Sequence, residues 1–185
     1  MTTSLSHAAV EGGHDCANRL PTLTPRAAAF DFSAFEIAHP SPFLCDLRIT
    51  RESLGTVIEH VSNIEYVRWL DRAAELHADA VGYTRQYMLE HQMMWFVARH
   101  EIDYLAETWL NDELVIATWV RDFAKVKSWR QYLIVRPRDS QVICRAATLW
   151  VLVDLPTRRP KRIDREMIER FGAPPQSPKS ESRRN

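Results

Sequence analysis

The spacing of hydrophobic and polar positions changes twice along the chain, and each change marks a new kind of element. From Phe43 to Ile49 the run FLCDLRI puts Phe43, Cys45, Leu47 and Ile49 on one face and Asp46 and Arg48 on the other, the period of a half-buried strand. The period then lengthens to three or four residues. Ile64, Val67, Leu70, Ala74, Ala78 and Val81 predict one buried stripe of a helix, with Arg68, Asp71, Arg72, Glu75 and Asp79 on its wet face. Ser62 with Glu65 three residues later fits a capping box, so the helix is expected to start near Asn63. Gly82 can take the left-handed conformation that ends helices, about five turns further on.

After a short helical or irregular piece, TRQYMLEHQ, the period returns to two. MMWFVARHEIDYL, LVIATWVRDF, VKSWRQYLIVRP and VICRAATLWVLVDL are long and rich in β-branched and aromatic residues. Asn111-Asp112, Ala124-Lys125 and Arg138-Asp139-Ser140 separate them, which predicts antiparallel hairpins. A long, curved antiparallel sheet can wrap a single helix and bury its apolar stripe. The expected architecture is therefore α+β: a long central helix wrapped by an antiparallel sheet of about five strands. A short terminal helix is predicted near Asp164, with Glu166 in its first turn.

The ends read differently. Residues 1–30 mix Ser, Thr, His, Ala, Gly and Pro without an apolar period and are expected to form a flexible leader, with His14, Asp15 and Cys16 an incidental cluster. Phe30, Phe32, Phe35 and Ile37 then open an apolar segment closed by Pro40-Ser41-Pro42 and expected at the domain's edge. Residues 31–171 make up the expected domain, and 172–185, rich in Pro, Ser and charge, a disordered tail.

Composition narrows the function classes. A hydrophobic content of 45% with six Trp, seven Phe and five Tyr supports a sizeable core. A formal net charge of zero gives no long-range reason to bind nucleic acid or a charged membrane, although Arg158, Arg159, Lys161 and Arg162 form a local basic run read as solvated surface. No apolar run reaches the roughly 18 to 20 residues that span a bilayer. Cys16, Cys45 and Cys144 lack ligand spacing, so neither a zinc site nor a disulfide framework is expected; a reducing cytoplasm suits them.

The chemistry concentrates at the predicted helix start. First-turn N–H groups have no intrahelical partner and carry the positive end of the macrodipole, so they can polarise an oxygen. Glu59, His60, Asn63 and Tyr66 surround that point and can supply a base, a proton donor and amide hydrogen bonds, or simply cap the helix. His77 lies too far along the helix to share this chemistry, and His100 reads as a structural strand residue.

The stretch HVSNIEYVRWLDRAAELH, set between one strand and four, resembles the helix entrance of hotdog-fold thioesterases of the 4-hydroxybenzoyl-CoA and acyl-CoA type. That family reads Gly-His-Val-Asn-Asn-x-x-Tyr-x-x-Trp/Tyr there, and His60, Val61, Asn63, Tyr66 and Trp69 stand in those positions. RHEIDYLAETWLNDELVIATWV and ATLWVLVDLPTRRPKRI are similar to the family's second and third strands and its last strand, so the resemblance covers roughly residues 42–171.

The resemblance implies a hotdog fold and hydrolysis of a thioester carried by coenzyme A or an acyl-carrier protein, without a metal or other cofactor. His60 and Asn63 stand in its motif as candidate catalytic residues, and the local chemistry adds Glu59; Thr56, Val61, Tyr66 and Trp69 are candidates against the substrate, with Tyr66 and Trp69 alternatively ordinary core or dimer-interface residues. The resemblance also implies a homodimer or dimer of dimers, in which residues near Arg99 to Tyr104 of one chain face the helix start of the other. One departure stands out: the family's Asp ahead of Gly-His is replaced by Thr56 or Leu54, and its Gly by Glu59, with no Asp between Asp46 and Asp71. Three readings follow. Glu59, or Glu52 with a loop shift, supplies the carboxylate; His60 with ordered water suffices; or the domain binds acyl groups without hydrolysing them. A hotdog dehydratase using His60 ranks last.

Overall fold

The computed structural model describes residues 21–35, 37, 39–55 and 60–172. Its centre is one helix, α1 (Asn63–Ala80), wrapped by a six-stranded antiparallel sheet. The strands are β1 (Leu23–Pro25), β2 (Phe43–Arg48), β3 (Met93–Tyr104), β4 (Glu113–Ala124), β5 (Lys127–Arg136) and β6 (Gln141–Asp154), in the spatial order β1-β2-β4-β5-β6-β3. Two short helices, α2 (Arg85–Glu90) and α3 (Arg165–Arg170), close the far end. A curved antiparallel sheet wrapped around one long helix is a hotdog fold, as the sequence pattern and the resemblance anticipate.

The sheet curves because its long strands slip register. Bulges lie between Val97 and Arg99, between Val120 and Asp122, and between Ile134 and Val135, and an extra residue in one strand bends it and increases its twist. The hairpin from β4 to β5 turns over Lys125-Val126, one residue later than the sequence reading places it. The sheet also starts earlier than expected. Leu23–Pro25 pairs with Cys45–Leu47, so part of the predicted leader is a strand within the described residues.

The helix begins and ends where the sequence places it, with different details. Ser62 is the N-cap, but its side chain accepts from the Ile64 N–H, and the Glu65 carboxylate pairs with Arg68 at 2.7 Å; the reciprocal capping box does not form. At the other end Tyr83 N–H bonds to the Ala78 carbonyl and Gly82 N–H to that of Asp79. Gly82 sits at φ +89°, which completes a Schellman motif that a Cβ would strain. The buried stripe is rotated from the predicted one. Tyr66, Trp69, Leu70, Ala73 and Ala74 are buried, while Ile64 is 59% exposed. Two aromatic side chains carry more apolar area than the aliphatic groups they displace, and the helix turns to bury them.

Three apolar clusters result. The main one lies between α1 and the concave face, with Cys45, Ile116, Ile134 and Ile143 inaccessible beneath Trp69 and Leu70. The second joins α2, α3 and the ends of β3 and β4 around Met88, Met93, Val120 and Met167. The third covers the convex face: Phe30, Phe32, Phe35 and Ile37 lie over Val115, Ala117, Trp119, Leu133 and Val135. The Phe-rich segment read as an edge is thus the back wall of the sheet.

Candidate active site

The start of α1 opens onto a cavity of about 620 Å³ lined by His60, Val61, Ser62, Asn63 and Tyr66 on one side, and by Tyr104 to Thr108 on the other. Local backbone pairing puts these residues together. Leu54 and Val61 form a β-bridge, the Gly55 N–H donates to the His60 carbonyl at 2.9 Å, and the Val61 N–H donates to that of Thr108 at 3.4 Å. The helix entrance is therefore tied to the segment that follows β3.

That segment is anchored by a buried carboxylate. Asp112 accepts from the Trp109 N–H at 3.1 Å and pairs with Arg136 and Arg138, both at 2.8 Å, while its side chain is 1% exposed. Arg136 also donates to the Glu107 carbonyl at 3.0 Å. The sequence reading took Arg136 only as part of a strand and Arg138 only as a turn residue, because the contact joins residues 24 and 26 apart through the hairpin geometry.

The predicted site residues divide into three groups. His60 and Asn63 line the cavity, His60 half-buried and Asn63 exposed. Val61 and Tyr66 also line it, although both are 4% exposed. Tyr66 shares a hydrogen bond with Thr108 at 3.1 Å and meets Tyr104 edge-on at 5.1 Å; burial pushes its phenol above its ordinary value. Trp69 lies one turn deeper, 1% exposed in the core and against the Tyr66 ring at 4.8 Å. Glu59 and Thr56 fall outside the described residues, as does the His14-Asp15-Cys16 cluster. Glu52 is exposed in the single 3-10 turn Arg51–Ser53. Tyr104 faces the helix start of its own chain.

Chemically, the entrance offers what an acyl carbonyl needs. Ser62 already accepts from the Ile64 and Glu65 N–H groups, so what meets an oxyanion here is the positive end of α1, with the Asn63 amide and the His60 imidazole on the same cavity. Among the described residues no group of three or more His, Cys, Asp or Glu could hold a metal ion.

A second set of polar groups lies deeper, under the far half of α1. Arg130, 4% exposed, donates through Nη1 to His77 Nδ1 at 2.9 Å and to Thr118 Oγ1 at 3.2 Å. Burial, then the charge of Arg130, pulls His77 down to about 3, so the imidazole is neutral and its Nδ1 accepts. Across the sheet His100 bonds Thr148 at 2.9 Å. Burial lowers His100 against the pull of the Asp71 charge, and burial raises Asp71 against the opposing charges of Arg85 and His100. Sequence reading took His77 and His100 singly; their partners come from β5 and β6, at separations no local pattern displays.

Residues 45–171 match the Thioesterase-like superfamily, and the chain belongs to that family. Among curated relatives, the palmitoyl-acyl carrier protein thioesterase of Cuphea hookeriana chloroplasts is 26% identical over 117 residues, which make up 62% of this chain and 27% of the relative. The chain thus spans under a third of the length of that protein. Among solved structures, a putative oleoyl thioesterase from Lactobacillus plantarum superposes with a TM-score of 0.69 at 21% identity, covering 80% of this chain and 59% of that one. The 1,4-dihydroxy-2-naphthoyl-CoA thioesterase of Synechocystis superposes with a TM-score of 0.65 at 15% identity, covering 71% of this chain and 96% of that one.

Proposed function

We propose that the protein hydrolyses an acyl or aryl thioester of coenzyme A or of an acyl-carrier protein at the start of α1. The observation that carries this reading is the cavity in which the helix N-terminus, His60 and Asn63 meet, in a chain of the Thioesterase-like superfamily. The thioester carbonyl oxygen points at the positive end of α1, which stabilises the charge that develops when water attacks. Asn63 orients the carbonyl or the water. Glu59 takes the proton from water, with Glu52 the alternative carboxylate, and the thiol leaves as the tetrahedral intermediate collapses. Cys45 and Cys144 are buried free thiols, which suits a cytoplasmic setting.

The active assembly in this reading is a homodimer. β3 forms one edge of the sheet, twelve residues long, with Phe96 and Val97 44% and 41% exposed. A long edge strand with exposed apolar side chains invites pairing with a second copy. The Phe-rich segment already covers the convex face, which favours a dimer over assembly through that face.

Thiol release from aryl-CoA, short-chain and long-chain acyl-CoA, and acyl-carrier-protein thioesters tests the proposal. The wild type should turn over at least one class. Asn63→Ala and His60→Ala should lower kcat by roughly 10- to 1,000-fold, and Glu59→Gln should abolish turnover while Glu52→Gln keeps it. Binding of acyl ligands without turnover of any ester would instead favour a non-catalytic acyl-binding protein, the reading supported by the missing Asp ahead of His60.

A further inference from the structure

A separate cavity of about 180 Å³ lies under the second half of α1. Its walls are apolar and largely aromatic, with Met94, Trp95, Phe123, Trp150 and Phe171 among them. The exposed Asp71 and Arg85 stand at its opening, and Ser128 and Arg130, each 4% exposed, line its closed end. It shares no lining residue with the helix-start cavity. Trp69 and Leu70, which follow Tyr66 and precede Asp71 on α1, are 1% exposed or less. Along the helix, Asp71 lies eight residues from Asn63, about 12 Å.

Arg130 distinguishes this cavity from a packing defect. A guanidinium presents five N–H donors in a planar fork. Here Nη1 serves His77 and Thr118, the Phe171 ring lies 5.6 Å from the guanidinium carbon, and among the described residues no carboxylate pairs with it. A buried charge without a counter-ion is costly unless something supplies one. Of the two acids on the lining, Glu75 pairs with Arg72 at 2.6 Å and with Arg85 at 3.2 Å, and Asp71 is exposed.

Size and charge together define the ligand. A void of roughly 150 Å³ takes one benzene ring, and Arg pairs with carboxylates through two parallel hydrogen bonds. We propose that this cavity is a second ligand site, distinct from the helix start, that takes a small free carboxylic acid. Its body is one aromatic ring or about six carbons, and Arg130 is its counter-ion. The site shares no lining residue with the cavity at the same chain's helix start. The site does not depend on thioester hydrolysis, so binding to the intact protein tests it without any turnover.

Benzoate, hexanoate and the neutral benzyl alcohol are titrated against the full-length protein by calorimetry, with the fluorescence of Trp95 and Trp150 as a second signal. The expected result is saturable binding of both acids, with benzyl alcohol weaker by about tenfold or more. Arg130→Met should weaken the acids by a similar factor and leave benzyl alcohol unchanged. Ala78→Leu, which fills the cavity and spares Arg130, should abolish binding of all three. Equal affinity of benzoate and benzyl alcohol for the wild type, no saturable binding by folded protein, or undiminished benzoate binding in either variant overturns the proposal. Should Arg130→Met fail to fold, the comparison of acid with alcohol on the wild type, together with Ala78→Leu, decides.

Discussion

His77 shows how much a single side chain owes to what surrounds it. Phe43 stacks on its ring at 5.0 Å, Phe171 meets it edge-on at 5.3 Å, and Arg130 donates to its Nδ1. Protonation would cost that hydrogen bond and set two cations together, and the nearby His39 charge acts in the same direction. The folded protein therefore holds His77 neutral down to about 3, whereas the unfolded chain protonates it near the ordinary value of 6.5. The unfolded state gains a proton first, so the full stability is present above about pH 6.5 and is lost as pH falls from there towards 3. The slope from this group is at most about 1.4 kcal/mol per pH unit. His77→Gln keeps an acceptor for Arg130 and cannot titrate. Urea midpoints measured from pH 7.5 to 5 should therefore fall less steeply for His77→Gln than for the wild type. Parallel slopes would mean that His77 is protonated in the folded protein.

At the scale of elements, the segment between β3 and β4 decides whether the helix start has a wall. It contains little regular structure, so its shape rests on Asp112, whose carboxylate gathers the Trp109 N–H, Arg136 and Arg138. Asn111 at φ +68° makes the turn that delivers Asp112 to them. Removing one partner of a buried ion pair strands the other charge, so Asp112→Ala is expected to cost about 3 kcal/mol in urea unfolding. It should also lower thioester turnover, because Thr108 and Glu107 line the cavity. Tyr66→Phe is milder. It removes the hydrogen bond to Thr108 and should cost about 1 kcal/mol, and a change within error would place that bond outside the energetics of the fold.

For the whole molecule, the two sides of the sheet have different fates. The concave side is filled by α1 and the convex side by the Phe30 to Ile37 segment, and among the described residues β3 forms a long edge of the sheet. Sedimentation should show a dimer for the wild type and a monomer for Phe96→Lys/Val97→Lys, with unchanged far-UV circular dichroism. A monomeric wild type would remove the basis for joining two sheets at β3. If the dimer also brings β3 of one copy towards the helix start of the other, the double variant should lose turnover along with assembly.

The parts of this protein that are legible in its sequence are those set by short-range periodicity and backbone chemistry. Alternation marks β2 to β6, Ser62 and Gly82 bracket α1, and Asp164 caps α3 by accepting from the Met167 N–H. Such features depend on neighbours within about four residues. The convergence of His60, Asn63 and Tyr66 is legible for the same reason, since they lie close together in the chain at the start of one helix. What α1 buries was decided only in three dimensions, because the sheet offers room for Tyr66 and Trp69, and the helix rotates to fill it at the expense of Ile64. The Arg130–His77–Thr118 contact, the Asp112 anchor and the aromatic cover on the convex face join residues far apart in the chain. Their side-chain types look ordinary one at a time. Only the closed sheet removes the water that would otherwise solvate them, and that burial makes their charges and hydrogen bonds matter.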